Sequence, residues 1–151
     1  MAEKPRRHVL LVVAPYYTEI VENLVRGTVE TLEAAGITWE RVDVAGAFEL
    51  PAAIAIVHDD DPERFDGYLA LGCVIRGETS HYDHICAEVS RALQTLAVEE
   101  KLAIGFGLLT CENGEQARVR ADPARKNKGG ETARAVISIL DLKASLRKRN
   151  S

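Results

Sequence analysis

The sequence predicts a three-layer α/β fold built on a parallel β-sheet. Three near-continuous apolar runs are typical of strands buried on both faces of a sheet. Longer segments between them repeat apolar residues at helical spacing, which gives an alternating order of strands and helices. With 151 residues, of which 46% are hydrophobic, the chain is long enough for one core. We therefore expect a single domain over residues 1–151, with a short polar arm at residues 1–7.

The first two strands are predicted on either side of an amphipathic helix. The apolar run HVLLVVA at residues 8–14 predicts a buried strand, and alternation over residues 37–44 predicts the second. Thr18 is a candidate N-cap for the intervening helix, and Gly36 supplies its end. The core face of that helix carries Ile20, Leu24, Val25, Val29 and Leu32.

The middle of the chain predicts a short helix, a strand and a longer helix. A turn at residues 46–51 leads into a helix over residues 52–57, and an acidic loop follows at residues 59–62. The run GYLALGCVI at residues 67–75 predicts the third strand. The next helix begins near Thr79 or Ser80, and its core face carries Ile85, Val89, Leu93 and Leu96.

The last third of the chain predicts one strand and two helices. The run AIGFGLLT at residues 103–110 is apolar, and residues 114–120 are suited to a short helix. The segment DPARKNKGG at residues 122–130 has the composition of a loop. The final helix is predicted over residues 131–148, with Ala133, Val136, Ile137 and Leu140 facing the core.

Composition argues against several classes of function. The net charge is −4, so bulk electrostatics give no reason to expect a nucleic-acid partner. No run of about 18 apolar residues predicts a membrane span, and the short polar N-terminus has no apolar signal region. The three cysteines form no CxxC pair, which fits a reducing cytoplasm and argues against a thiolate metal site.

Parallel sheets bind ligands at the carboxyl ends of their strands, so the residues that follow each strand are the candidates for chemistry. Tyr16 and Tyr17 follow the first strand and can stack on a flat heterocycle, although ordinary packing is the alternative. Gly46 follows the second strand and lets main chain approach a ligand closely. Glu49, between Phe48 and Leu50, can accept hydrogen bonds from a polyol or form an ion pair that holds the turn.

The segment after the third strand carries the most information. Gly77 and the hydroxyl residues after it precede a helix, and the free N–H groups of a helix start suit a phosphate. His81 lies in the first turn, and an unperturbed imidazole titrates near pH 6.5, so it can both take and give protons. His81 and His84 also form an HxxH pair, for which metal ligation is the competing interpretation. We find no third ligand with matching spacing, so no metal is predicted.

Basic residues gather before the final helix. Any one of them can grip a phosphate with charge-assisted hydrogen bonds, whereas a solvated loop accounts for most of them. The residue types alone do not distinguish among Arg118, Arg120, Arg125, Lys126 and Lys128.

Four motifs in order give the chain a strong resemblance to the lumazine synthase family. They are GAFELP at 46–51, LGCVIRGETSHYDHIC at 71–86, FGLLTCENGEQA at 106–117 and NKG at 127–129. The resemblance runs from about His8 to the last helix and implies a flavodoxin-like α/β/α sandwich around a four-stranded parallel sheet. That expectation agrees with the order of elements read from the residues.

The resemblance also implies a role for each matching position. His81 is the proton shuttle, Tyr16 stacks on a pyrimidine, and Glu49 binds ribityl hydroxyls. Phe106 and Arg120 serve the site of a neighbouring subunit, where Arg120 grips a phosphate, and Lys128 lies near the site. Main chain and side chains at Ala47, Phe48, Cys73, Val74 and Ile75 line the pyrimidine and ribityl pocket, and Glu78 and Thr79 hold the phosphate.

A synthase of the riboflavin pathway is the function implied by this resemblance. It joins 5-amino-6-(D-ribitylamino)uracil to 3,4-dihydroxy-2-butanone 4-phosphate, needs no cofactor, and forms a homopentamer that in some members assembles into a 60-subunit shell. The tyrosine at Tyr16, where the family usually has phenylalanine or tryptophan, preserves stacking and adds a polar group. The short N-terminal arm favours a free pentamer. The alternatives are a flavin- or lumazine-binding module without turnover and an assembly protein on the same fold.

Overall fold

The computed structural model describes residues 6–77 and 81–149, and its centre is a four-stranded sheet. All strand pairs are parallel, and the strand order is β2-β1-β3-β4. This arrangement confirms the predicted three-layer, flavodoxin-like architecture. The strands are β1 (His8–Val13), β2 (Thr38–Asp43), β3 (Gly67–Ile75) and β4 (Ala103–Cys111).

Helices cover both faces of the sheet. Those on one face pack over a core that includes Leu24, Val136 and Leu140, and those on the other over a core that includes Ile54, Val89 and Leu93. The first set is α1 (Thr18–Ala34), α4 (Gly114–Ala121) and α5 (Lys128–Arg149), and the second is α2 (Leu50–Asp60) and α3 (His81–Glu99), with a short 3-10 helix at Ala47–Glu49 leading into α2.

The strands of the sheet end at two different levels. Val13 of β1 lies opposite Leu71 of β3, whereas β3 continues to Ile75, which lies opposite Cys111 of β4. β3 and β4 therefore project four residues, or about 13 Å at the usual strand rise, past the end of β1. The chain also reverses its direction across the sheet between β1 and β3. Ligands of such sheets bind at this switch point. In this structure the projecting ends of β3 and β4 form one side of it.

Helices α1 and α5 meet with their backbones almost in contact. A Cβ at Gly129 would overlap the carbonyl oxygen of Leu24 and lie 2.8 Å from the amide nitrogen of Thr28. The Thr28 hydroxyl lies 2.9 Å from the Leu24 oxygen and 3.1 Å from the Gly129 oxygen. Because only glycine fits there, Gly129 sets how closely the two helices approach.

Three local predictions were wrong. Thr18 does not cap α1: the N-cap is Tyr17, and the Thr18 hydroxyl donates instead to the oxygen of Pro15 at 3.1 Å. The predicted acidic loop at residues 59–62 begins late, because α2 continues to Asp60. The predicted loop at residues 122–130 ends early, because α5 starts at Lys128.

The early start of α5 has a local cause. Asn127 adopts a left-handed conformation with φ of 47°, which short polar side chains tolerate. Its side-chain oxygen accepts from the Gly130 amide at 3.2 Å, and its carbonyl oxygen accepts from the Glu131 amide.

The predicted start of α3 at Thr79 or Ser80 lies outside the described residues. Within the described ranges, we find no helix that is long and apolar enough to cross a membrane.

Candidate active site

The loop after β1 presents one aromatic ring to solvent and buries part of another. The tight parallel pairing continues through Ala14, whose amide donates to the Leu71 oxygen at 2.9 Å. Tyr17 then packs against the core on the α1 side. Tyr16 is 78% exposed, and its ring meets Tyr17 edge-on at 5.0 Å. Core packing therefore does not explain Tyr16, and its outer face is free for a flat ligand to stack upon.

The loop after β2 is a compact turn beside α3. Val44 donates to the Val13 oxygen at 2.8 Å, and the 3-10 helix that follows contacts both β3 and α3. A Cβ at Gly46 would lie 3.3 Å from a carboxylate oxygen of Glu49, so this glycine lets the carboxylate approach the turn. Phe48 is 59% exposed, and Glu49 is exposed rather than buried.

Glu49 has a free carboxylate in the described parts of the chain. The salt bridges among those residues do not include it. The ion pair that the sequence allowed as its structural role is therefore not seen there. An exposed carboxylate next to an exposed aromatic ring leaves the hydrogen-bonding role available.

The end of β3 supplies main chain and a neutral thiol. Cys73 is buried, whereas Val74 and Ile75 are half-buried. Burial, followed by the nearby Cys111 thiol, raises the pKa of Cys73 to about 12. Cys73 is therefore a thiol rather than a thiolate at neutral pH, and it is unsuited to be a nucleophile.

His81 is the first residue of α3, and its side chain is exposed at the end of the sheet where the strands terminate. His84, one turn further along, is exposed as well. Among residues 6–77 and 81–149, no group of three His, Cys, Asp or Glu side chains is arranged to hold a metal ion. Glu78 and Thr79, the predicted phosphate ligands, lie outside the described residues.

Arg76 was not assigned a role from the sequence, yet it joins three elements at this edge. Its amide donates to the Cys111 oxygen at 2.8 Å. Its Nε lies 3.0 Å from a carboxylate oxygen of Glu112, and its Nη2 lies 3.3 Å from one of Asp83. The guanidinium carbon lies 4.5 Å from the ring centre of Tyr82. An arginine directly after a predicted strand was the available signal, but its partners come from separate elements.

The basic residues near the start of α5 differ in the partners of their side chains. Arg118 and Arg125 both face Glu115, at 3.9 and 3.8 Å, and Lys128 pairs with Glu131 at 3.0 Å. Arg120 differs because it is half-buried and its Nη1 donates to the sulfur of Cys111 at 3.3 Å. The salt bridges of the described residues do not include Arg120, so its positive charge is not neutralised there.

Phe106 is not at the same end of the sheet as the other candidates. It lies opposite Ala70 in the middle of β4, five residues before Cys111, which corresponds to about 16 Å along the strand. β4 is an outer strand of the sheet, and Phe106 is 47% exposed. The structure therefore brings Tyr16, residues 47–49, residues 73–75 and His81 to one edge and leaves Phe106 away from it.

Comparison with known proteins identifies the family. Residues 6–144 match the family model described as 6,7-dimethyl-8-ribityllumazine synthase. The chain belongs to this family. Among relatives named 6,7-dimethyl-8-ribityllumazine synthase, that of Agrobacterium fabrum is 47% identical over 92% of this chain and 96% of its own length. That of Sphingopyxis alaskensis is 48% identical over 90% and 94%.

A third relative covers almost the whole chain. The protein named 6,7-dimethyl-8-ribityllumazine synthase 1 of Rhizobium meliloti is 46% identical over 97% of both chains. The resemblance inferred from four motifs is therefore confirmed, and so is the prediction of a transferase in the lumazine synthase family that acts on small molecules. The roles of individual residues are a separate matter and are argued below.

Proposed function

We propose that this chain condenses 5-amino-6-(D-ribitylamino)uracil with 3,4-dihydroxy-2-butanone 4-phosphate. The products are 6,7-dimethyl-8-ribityllumazine, phosphate and water, which is the penultimate step of riboflavin biosynthesis. The observation that carries the proposal is the family match over residues 6–144. The exposed Tyr16, Phe48, Glu49 and His81 at the carboxyl ends of the strands support it.

The uracil substrate binds at the carboxyl end of β1, beside the part of β3 that projects past it. Tyr16 stacks on the pyrimidine, because its ring is exposed and braced edge-on by Tyr17. Glu49 accepts hydrogen bonds from the ribityl hydroxyls, since its carboxylate is exposed. Main chain at Cys73, Val74 and Ile75 pairs with the ring, and Ala47 and Phe48 form the opposite wall.

The keto-phosphate binds at the start of α3. This helix has 19 residues, so its N-terminal end offers a positive dipole and free N–H groups to an anion. Glu78 and Thr79 are proposed as phosphate-binding residues on the basis of the family resemblance alone. Arg120 from a neighbouring subunit approaches the same phosphate, and Lys128 lies nearby.

His81 moves the protons of the reaction. The uracil amine attacks the ketone and forms an imine with loss of one water, the phosphate leaves by elimination, and ring closure with loss of a second water completes the bicycle. Each step transfers a proton between nitrogen, carbon and oxygen. A positioned imidazole at the edge of the phosphate site can serve them, and such catalysis contributes about 10²–10⁴ in rate. Holding the two substrates in contact contributes up to roughly 7–11 kcal/mol more.

The complete site requires two subunits. Phe106 lies about 16 Å along β4 from the strand end, on an outer strand, so it covers the substrate of an adjacent subunit rather than its own. Exposed apolar side chains on several elements support contacts between subunits. They include Ile56 on α2, Val98 on α3, and Ile139, Leu142 and Leu146 on α5.

We propose a homopentamer, as the family resemblance implies. A 60-subunit shell is the larger alternative, and light scattering distinguishes the two by mass. We also propose a cytoplasmic location. The free thiols of Cys73, Cys86 and Cys111 support that location, because unpaired cysteines are typical of reducing compartments.

A two-substrate assay on the purified protein tests the function. Product formation is followed by the absorbance of the lumazine, and released phosphate is measured in parallel. We expect the two to appear in equal amounts and only when both substrates are present. Binding of the uracil without product, at any concentration of the keto-phosphate, would identify a binding protein instead and overturn the proposal.

A further inference from the structure

The first turn of α3 is tied to the sheet by the side chain of Arg76. The guanidinium is shared between Glu112, which directly follows β4, and Asp83, which lies two residues after His81. The ring of Tyr82, the residue next to His81, lies 4.5 Å beneath it. The Arg76 backbone is itself fixed by its 2.8 Å bond to the Cys111 oxygen. Two contacts thus hold Arg76 at the end of β4, and two others join it to the start of the helix.

We infer that Arg76 is a positioning residue that holds His81 at the phosphate end of the site. It acts on the two residues that follow His81 rather than on the substrate. The inference rests on the proposed function, since it concerns the proton transfers of that reaction.

The ion pairs of Arg76 indicate that it positions neighbouring residues rather than binding phosphate. Two carboxylates face the guanidinium, so its charge is compensated by Glu112 and Asp83. It therefore has little positive charge left for a phosphate, in contrast to Arg120. The hydrogen bond from Nε to Glu112, the ion pair of Nη2 with Asp83 and the stacking on Tyr82 fix the plane of the group, which a lysine ammonium does not reproduce.

Loss of Arg76 should change the free energy of unfolding little but the reaction rate strongly, which distinguishes a positioning residue from one that only stabilises the fold. Exposed ion pairs contribute little to the free energy of unfolding, typically below about 1 kcal/mol, and the Arg76 side chain is 42% exposed. Helix ends fray readily, so loss of the tie loosens the first turn without unfolding the domain. A displacement of about 1 Å at a catalytic group can lower a rate by roughly 10²-fold.

Three substitutions test the inference. In Arg76→Ala we expect kcat to fall by about 10- to 100-fold, with the KM for the uracil within about twofold of wild type. Arg76→Lys should recover only part of the rate, because it restores one charge contact and no planar stacking. Asp83→Asn should give a smaller loss in kcat than Arg76→Ala, since the contact of Arg76 with the Tyr82 ring remains.

Arg64→Ala is the matched control. Arg64 makes the same kinds of contact at the opposite end of the sheet, with Glu40 at 2.9 Å and the Phe65 ring at 5.0 Å. We expect its urea midpoint to change as little as that of Arg76→Ala and its kcat to stay at the wild-type value. Amide hydrogen exchange over residues 82–86 should accelerate in Arg76→Ala and not in Arg64→Ala.

The outcomes distinguish the two levels of the proposal. An active wild type whose Arg76→Ala variant keeps its kcat, or slows no more than Arg64→Ala, overturns the inference and leaves the function standing. Unchanged hydrogen exchange over residues 82–86 in Arg76→Ala also overturns it. A wild-type protein without turnover overturns the proposed function, and the role of Arg76 in that reaction with it.

Discussion

Nη1 of Arg120 donates a hydrogen bond to the sulfur of Cys111 across 3.3 Å, and no salt bridge of the described residues includes Arg120. The buried sulfur of Cys111 orients the guanidinium without forming the ion pair that a carboxylate would provide. The remaining N–H groups are therefore available to an anion. Arg118, two residues earlier, faces Glu115 instead.

Substitution of Arg120 should weaken the keto-phosphate specifically. Hydrogen bonds to charged groups contribute about 1.5–3 kcal/mol, so in Arg120→Ala we expect the KM for that substrate to rise roughly 10- to 150-fold. The KM for the uracil should change little. Steady-state kinetics with each substrate varied in turn measure both values. Arg118→Ala is the control, and an equal effect in that variant would remove the special role of Arg120.

Substitution of His81 should slow the reaction without loss of the uracil. In His81→Ala we expect kcat to fall by about 10²–10⁴, while the uracil binds with nearly unchanged affinity in calorimetry. His84→Ala serves as the control because it is exposed one turn away on the same helix. If both variants lose activity together and a chelator inhibits the wild type, the HxxH pair is a metal site and the acid/base role is wrong.

Mixing two impaired variants should restore activity if the sites are shared, provided that the keto-phosphate is kept well below the KM of Arg120→Ala. His81→Ala and Arg120→Ala subunits, unfolded together and refolded as mixed rings, produce some interfaces with His81 from one subunit and Arg120 from the next. In a random equal mixture about one quarter of the interfaces are intact. We expect up to about a quarter of the wild-type rate. Activity no higher than the sum of the separately refolded variants would mean that each subunit uses its own Arg120.

A methyl group at Gly129 should destabilise the domain by forcing two helices apart. The Cβ of Gly129→Ala would overlap the Leu24 oxygen and crowd Thr28, so the helices α1 and α5 must separate. Overpacking of this kind costs about 1–3 kcal/mol, which urea unfolding measures. In Gly36→Ala the Cβ would meet open space, but the φ of 74° is unfavourable, so we expect only about 1 kcal/mol. Equal losses would show that backbone strain, not crowding, governs both positions.

Burial of the Cys73 thiol should make stability fall at alkaline pH. The folded pKa of about 12 lies above the ordinary cysteine pKa of 9.0, so the folded state retains a proton that the unfolded chain releases. This contribution is complete below pH 9 and is lost as the pH rises towards 12. Between pH 8 and 10 we expect wild type to lose about 1.4 kcal/mol relative to Cys73→Ala, measured by urea unfolding. An equal pH dependence in the two proteins would contradict the raised pKa.

The sequence predicted the sheet because its strands are buried on both faces. The runs at His8–Val13 and Gly67–Ile75 carry almost no polar residue, and such runs have few alternatives in a domain of this size. Element ends were predicted less well. Asn127, in a left-handed conformation, precedes α5, which starts three residues before the predicted position. The composition of residues 122–130 is that of a loop, so it did not indicate this helix start.

The position of the candidate site could be predicted in part. Tyr16 and His81 follow strands in the chain, and chain order sets the edge of a parallel sheet at which they lie. Residue types alone did not distinguish Arg120 from the other basic residues, and only the family resemblance named it. Its physical difference from its neighbours depends on the positions of Glu115 and Cys111, which packing between α4 and β4 sets. Arg76 was missed for the same reason, since Asp83 and Glu112 reach it from separate elements.

The contact between Gly129 and the backbone of α1 has a consequence for how the protein is made. Helix α5 follows all four strands in the chain, and it packs against α1, β3 and β4. Until residues 128–149 have left the ribosome, the apolar surface that Val136 and Leu140 cover in the folded protein stays exposed. Chaperones that shield exposed apolar segments would therefore act until α5 has been made, and this face of the sheet is covered only then.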